Sequence, residues 1–431
     1  MKSQEDVLIV GAGVAGLAAA AELHAAGISV RLLEARERVG GRAWSIHAEG
    51  VEQAIELGAE FIHGKPPELF SIAAEAGLNP IVLRGENFAS DGKTVRRFDF
   101  LERSESVLEE MDDRGPDRPF AEFVREHVGE DDPESLQWAM RYVRGFHAAN
   151  PDWISVHAMV REAKAEQKIE GYLQFHPVHG YASLIAWYEK RLAGVPVELK
   201  TVVKKIRWSA QGVEVATDRD VVFRARKAII TLPLGILQSD AVAFEPALPQ
   251  KREAADRLAM GKVLRITLRF GDRFWTKRKD GVPDLSRMHF LMADDSYFPT
   301  WWTMHPFEAP LLVGWAPDVC ADRLQGKSHD EVVAQARESL EHALPAYAAE
   351  IHGNLAEGYF HDWQADPFSR GAYSYVKAGG LGAQEALGTS VDGRLFFAGE
   401  ATESQGHHAT VHGAIATGLR AAGEVKKALL R

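Results

Sequence analysis

The sequence predicts an α/β fold in two parts: a nucleotide-binding sheet assembled from separated segments, and a second α+β domain laid over it. Three observations predict this. The chain opens as strand, glycine turn, helix and strand; a strand, a glycine and a small-residue helix return near its far end; and a β-rich stretch at 196–232 supplies a third piece. At 431 residues the chain is also too long for one ordinary core.

Val7 to Val10 is a short, wholly apolar run, as a buried parallel strand requires. Gly11 to Gly16 is the turn, Leu17 to Ala26 an alanine-rich helix, and Gly27 its stop. Val30 to Leu33 is the second strand and ends at Glu34, so the unit fits a right-handed βαβ crossover. Helical spacing marks 101–114, 119–128, 133–149 and 155–170, with turn signals at Gly115-Pro116 and Asn150-Pro151 between them. Residues 196–232 read as β and close on the strand Ala228 to Leu232 before Pro233. Strands follow at 263–270 and 311–316, then a helix at 329–343, the strand Leu395 to Ala398, and the helix Val411 to Leu429. The division expected is 1–80, 196–245 and 385–431 for the nucleotide domain, with 81–195 and 246–384 building the second.

Composition narrows the partners. A net charge of −11 argues against nucleic acid and against an anionic membrane surface. The one cysteine, Cys320, allows no intramolecular disulfide and no cysteine metal site, which fits a reducing, cytoplasmic setting. No metal site is expected, because His176 and His179 flank a turn without a suitably spaced third ligand. No stretch of about 20 apolar residues is present, as a spanning helix would need. The apolar start is preceded by acids and broken by glycines, unlike a signal peptide.

Gly11, Gly13 and Gly16 form G-x-G-x-x-G between a strand and a helix. The first glycine permits the tight turn, the second lets backbone approach a pyrophosphate, and the third allows helix and strand to pack closely. The helix N-terminus then offers free N–H groups to phosphate. Glu34 can accept hydrogen bonds from ribose hydroxyls and disfavours a 2′-phosphate. This is a Rossmann-like arrangement; the alternative is a packing turn without a ligand. Residues 35–42, Ala-Arg-Glu-Arg-Val-Gly-Gly-Arg, favour FAD over NAD: Gly40-Gly41 brings the chain near a second phosphate and Arg42 can neutralise it.

Here the sequence resembles the flavin amine oxidase family, whose members carry R-x-G-G-R; Arg38, Gly40, Gly41 and Arg42 match. Further family-like segments are ELGAEFIHG (56–64), AIITLPLGIL (228–237), DPFSRGAYSYV (366–376), LFFAGEATES (395–404) and HHATVHGAIATGLRAAGEV (407–425). The A-T-V-H-G-A form is similar to the polyamine oxidase and histone lysine demethylase branches, beside the monoamine oxidases. The resemblance implies a glutathione reductase-type FAD domain with non-covalent FAD, and oxidation of an amine to an imine with O2 as acceptor. It implies cofactor contacts from Arg36, Gly41, Arg42, Gly58, Ala59, Glu60, Val203, Trp363, Gly399, Glu400, Thr410 and Val411.

Three catalytic positions follow from it. Lys262, just before an apolar strand, matches a lysine that holds a water near flavin N5; on pattern alone it is a solvated strand end. Tyr373 matches an aromatic residue before the flavin. Thr410 stands where monoamine oxidases have a second tyrosine, leaving an aromatic cage half open. Glu60 and His63 are candidates for a distal ammonium, and Phe368 and Trp363 for cavity walls, with surface or core roles as the alternatives. Trp301 and Trp302 are expected to be packing. Two other classes stay open: an L-amino acid oxidase or carbon–carbon desaturase on the same fold, for which Arg84, Arg97 and Arg144 are candidate carboxylate anchors, and a flavin-binding interaction protein without turnover.

Overall fold

A computed structural model describes residues 5–98, 107–128 and 132–430. The opening unit forms as its pattern requires: β1 (Glu5–Val10), α1 (Val14–Ala25) and β2 (Val30–Leu33). Strand β1 is parallel both to β2 and to the strand Val222–Ile230. That long strand does two jobs. Its second half pairs with β1 on one side and with Leu395–Phe397 on the other, both parallel, while its first half pairs antiparallel with Gly212–Thr217. The eight-stranded sheet therefore draws on the start, the 197–245 stretch and the far end of the chain.

Helix α1 and the last helix, Val411–Leu429, cover one face of this sheet, and their alanines and glycines let them lie unusually close. A Cβ on Gly418 would stand 2.3 Å from the Ala15 carbonyl oxygen, so backbone meets backbone there.

A second, seven-stranded sheet runs Leu355–Phe360, Val263–Phe270, Leu311–Pro317, Thr300–Thr303, Met288–Ala293, Glu86–Ser90 and Val95–Arg97. It buries one face against the helix His329–Ala343, with Leu264, Ile266 and Leu268 meeting Val332, Ala336 and Leu340. The helices Phe120–His127, Pro133–Phe146 and Val156–Lys168 gather around a smaller cluster of their own. Of the helix expected over 101–114, residues 101–106 fall outside the described residues, while 107–110 form only a helical turn and 111–114 are irregular, which shortens the expectation.

The expected division needs one correction. Residues 174–192, assigned by sequence to the second domain, pack with the first: Gln174–Pro177 pairs with Ile62–His63, and Phe175, Tyr181, Leu184 and Tyr188 join the core under α1. Apolar side chains at helical spacing in Ala182–Arg191 decide it, because they find the face that α1 leaves uncovered. Among the described residues no helix is long and apolar enough to cross a membrane, and no metal-binding cluster occurs.

The backbone contact at Gly418 gives a test. Gly418→Ala should force α1 and the last helix apart and destabilise the protein by about 1–3 kcal/mol, the usual cost of overpacking. Chemical unfolding measures it, and an unchanged midpoint would mean that the two helices yield freely there.

Candidate active site

Between the two large sheets lies a cavity of about 1000 Å³. That is the upper end of what small-molecule sites occupy. It runs from Gly11, Gly13 and Glu34 at one end, past Arg42, Gly58 and Glu400, to Tyr373, Arg265 and Glu162 at the other.

The first end is built by glycines meeting backbone. A Cβ on Gly16 would stand 2.1 Å from the Gly11 carbonyl oxygen. Gly16 therefore sets the helix against the turn without lining the cavity, so its expected cofactor contact is replaced by a packing role. The Gly40 N–H donates to the Ala12 carbonyl at 2.8 Å, which ties the second glycine turn to the first. Helix α1 has no side-chain cap, so its first N–H groups face the cavity unclaimed. Glu34 is fixed by the N–H groups of Ala12 and Arg36, at 2.8 and 2.9 Å, with lone pairs left over. The Thr201 N–H donates to the Glu34 carbonyl at 2.8 Å, which brings Val203 to the cavity wall at this end.

Arg36 pairs with Asp366 at 2.6 Å and lies beneath the rings of Trp363 and Phe368, 5.7 and 5.6 Å from their centroids. Phe368 is thus a wall at the Glu34 end, which corrects its expected place in the substrate cavity: the turn at Asp366 folds it back over the guanidinium. Trp363 donates its indole N–H to the Leu57 carbonyl at 2.7 Å. A Cβ on Gly58 would meet the Arg42 carbonyl at 1.9 Å, and the Ala59 N–H donates to the same oxygen at 3.1 Å.

Arg42 donates to Glu400 at 2.9 Å and to the Ala372 carbonyl at 2.7 Å. Glu400 also accepts from the Ser374 hydroxyl at 2.6 Å and the Ala409 N–H at 3.1 Å. Burial acts to raise this carboxyl, but Arg42 outweighs it and holds the group ionised. Gly399, Thr410 and Val411 complete the wall at the start of the last helix. A glycine-bound turn, an anchored carboxylate, a free helix N-terminus and a paired arginine fit the ribose and pyrophosphate of a flavin dinucleotide.

The far end centres on a buried ion pair. Arg265 contacts Glu60 at 2.6 and 2.9 Å, and also donates to the Glu56 carbonyl and to Thr267. Trp302 donates to the second Glu60 oxygen at 3.1 Å, and His176 stands 3.6 Å from it. Burial would raise the Glu60 carboxyl, but Arg265 dominates and holds it at about 2. Glu60 is fully engaged by protein donors, so it is not the receiver of a distal ammonium that the sequence suggested. His63 is set into the wall, and loss of solvent keeps its imidazole neutral, with a pKa pushed down to about 4. Trp301 is core as expected, but Trp302 faces the cavity.

Tyr373 lines this end, its hydroxyl donating to the Phe146 carbonyl at 2.9 Å, and burial pushes its phenol up. Thr410 lines the cavity too, but its hydroxyl is spent as the helix cap: it donates to the His407 carbonyl at 2.6 Å and accepts from the Gly413 N–H at 2.9 Å. A direct catalytic role is thereby corrected to a positional one.

Lys262 is the clearest correction. Its side chain is half exposed, pairs with Asp322 at 2.8 Å and does not line the cavity. Side chains alternate along a strand. Val263 and Arg265 therefore face the cavity, while Leu264 and Ile266 enter the second core and Lys262 leaves the strand end for solvent. Sequence reasoning missed Arg265, although a charge inside the apolar run VLRITLRF was itself the signal. It also missed Glu162, Glu166 and His147, whose helices showed only ordinary amphipathic spacing.

What such a cavity accepts is a dinucleotide at one end and a small organic molecule at the other, which places the protein among the dinucleotide-dependent oxidoreductases. The profile of the flavin containing amine oxidoreductases matches residues 14–426, and the chain belongs to that family. It is a flavoprotein, with FAD as its cofactor. Lysine-specific histone demethylase 1 homolog 2 of Oryza sativa subsp. japonica is 29% identical over 97% of this chain and 56% of its own length. Polyamine oxidase 4 of the same organism is 29% identical over 99% of this chain and 90% of its own. The chain spans about half the length of the demethylase relatives it matches. Among solved structures, a putrescine oxidase bound to putrescine superposes with a TM-score of 0.82 at 24% identity, covering 99% of both chains. Cyclohexylamine oxidase from Brevibacterium oxydans IH-35A gives 0.81 at 22%, covering 100% of both.

Removing Arg265 tests the far end. Arg265→Met should cost about 3–5 kcal/mol, since it leaves Glu60 buried and unpaired. Because the folded Glu60 pKa is depressed to about 2, the pair's contribution is present above the unfolded value and lost as pH falls through about 2. The stability gap between wild type and variant should be largest near neutral pH and shrink once the pH drops below about 4.3, the free glutamate value. Urea unfolding at a series of pH values reads the gap, and a constant gap would remove Glu60 from the account.

Proposed function

We propose that the protein oxidises a small-molecule amine to an imine, which water hydrolyses to an aldehyde and ammonia or a shorter amine, with O2 as the electron acceptor. For a primary amine the balance is amine, O2 and water giving aldehyde, ammonia and hydrogen peroxide. The observation that carries it is the aromatic and acidic far end of the cavity, continuous with the dinucleotide cradle. In this reading the cofactor part comes from the 1–80, 196–245 and 385–431 segments plus 174–192, and the substrate part from the rest.

The residues that would hold FAD are the Gly11–Val14 turn, Glu34, Arg42 and the start of the last helix, without a covalent bond, since 363–376 and 397–414 contain no cysteine. When bound, the flavin supplies the two-electron acceptor. This chain's own residues do the rest. The ring of Tyr373, fixed by its bond to Phe146, orients the amine and excludes water from the side it covers. Thr410, being small and committed to its cap, leaves the facing side open to a wider substrate. Neutral His63 and the apolar wall favour the uncharged amine that oxidation requires.

An amino acid substrate would need a free cation for its carboxylate. Arg265 is committed to Glu60; Arg144 lines the cavity but is paired with Asp318 at 3.4 Å; Arg84 and Arg97 do not line it. Arg141, Lys204 and Arg370 also line the cavity, Arg141 paired with Asp294 at 2.8 Å, but none of the three arginines that the sequence offered as anchors is a free cation there, which favours the amine reading. A reducing, cytoplasmic setting suits the lone cysteine.

A peroxide-coupled assay across amines, amino acids and polyenes should give signal with amines. Tyr373→Ala should lower kcat/KM for those amines by about 10²-fold, the scale of lost substrate positioning, while flavin content stays near wild type. Peroxide from amino acids alone, or a Tyr373→Ala enzyme that turns over normally, would overturn the reading.

A further inference from the structure

The amine that the proposed reaction needs is uncharged, yet an amine in water carries a proton at neutral pH. A cavity wall that takes this proton on binding lets the abundant charged form serve as substrate. The histidines of the wall are weak acceptors. Burial pushes His63 down to about 4, and burial followed by neighbouring imidazoles holds His147 and His412 at about 3. Glu60 and Glu400 are already paired with Arg265 and Arg42.

Glu162 differs from all of these. It lies on the helix Val156–Lys168, lines the cavity, and its side chain is 15% exposed. Among the described residues no lysine or arginine pairs with it. The cations of its own helix turn elsewhere, Lys164 to Asp113 at 2.6 Å and Arg161 to the Ser404 carbonyl at 3.3 Å. The groups that face Glu162 are Glu166 one turn along, His147 Nδ1 at 3.6 Å, His408 Nε2 at 3.9 Å, Glu403, and Tyr373, on whose phenol its charge acts. Glu403 spends its oxygens on the N–H groups of Gln405, Gly406 and His407. Burial lowers His408 as it does His147, so neither imidazole supplies positive charge at neutral pH. Burial, joined by the charges of Glu166 and Glu403, therefore raises the Glu162 carboxyl well above its ordinary value, and burial raises Glu166 to about 7.

A free amine holds its proton about six pKa units more tightly than a free glutamate. Burial narrows that gap from both ends, because it disfavours ammonium and carboxylate alike. We propose that Glu162 is the catalytic proton acceptor, a carboxylate oxygen of which takes the proton of the bound ammonium before oxidation. The N–H bond breaks and an O–H bond forms. Ammonium becomes amine and carboxylate becomes carboxylic acid, so a buried charge pair turns into two neutral groups. The inference rests on the amine-oxidase reading and adds to it the residue that prepares the substrate.

The test compares butylamine with 2,2-difluorobutylamine on the FAD-loaded enzyme. The fluorines make the second amine a much weaker base, largely uncharged in mildly alkaline buffer, with the reacting carbon unaltered. Glu162→Gln keeps shape and removes the acceptor. Relative to wild type it should slow anaerobic flavin reduction by about 10²-fold or more with butylamine, the scale of lost general-base catalysis, and far less with the fluorinated amine. Glu162→Asp, which keeps a carboxyl, should restore part of the butylamine rate. A second measurement needs no turnover. Infrared difference spectra of the oxygen-free, dithionite-reduced holoenzyme, with and without butylamine, should gain a protonated-carboxyl band that Glu162→Gln lacks. Equal slowing for the two amines, or a spectrum in which no carboxyl band depends on Glu162, would overturn the acceptor and leave the oxidase reading standing. A Glu162-dependent band without oxidation of any amine would keep the acceptor and overturn the oxidase reading.

Discussion

The ion pair between Arg265 and Glu60 fastens the seven-stranded sheet to the segment 57–63 at the wall of the cavity. Arg265 belongs to the second sheet, Glu60 to the segment that crosses from the nucleotide part, and Trp302 and His176 bring in two further strands. All four side chains are buried. Removing one partner would strand a charge inside protein, so the pair constrains geometry more than it adds net stability. Because it is satisfied on every side, it can form the floor of a reaction chamber without competing for the substrate.

The opposite wall follows a different electrostatic logic. At Arg42 and Glu400, charges are matched within the protein, and they tie the start of the last helix to the glycine turns. At Glu162 and Glu166 burial raises the carboxyls, and among the described residues no lysine or arginine pairs with them. In the proposed reading, the ring of Tyr373 orients the amine.

Much of the first part of the fold was legible in the sequence. The β1–α1–β2 unit, Glu34 and the last helix all follow from short apolar runs, glycines at fixed offsets and a small-residue stripe, which are local signals. The second sheet was largely hidden. Met288–Ala293 is nearly all apolar or aromatic and Thr300–Thr303 is only four residues long, so they lack the alternation that marks a half-exposed strand. The helix Ala182–Arg191 was also missed, and with it the assignment of 174–192. At the site, Gly11, Gly13, Gly40 and Gly41 lie at the cavity because backbone geometry dictates them, whereas Gly16 packs against the turn. Lys262 does not lie there, because a strand's two faces differ by one residue and the choice of face depends on which core the neighbouring leucines enter. The acids on Val156–Lys168 could not be singled out, since their meaning depends on Tyr373, more than two hundred residues away in the chain.

The central claim is that the bond broken lies on the carbon next to an amine nitrogen. Anaerobic stopped-flow mixing of the FAD-loaded enzyme with an amine deuterated at that carbon tests it directly. The account predicts that the amine bleaches the visible flavin absorbance and that deuteration slows the bleaching severalfold. Flavin that stays oxidised with every amine offered, or bleaching equally fast with deuterium at that carbon and with hydrogen, would contradict it.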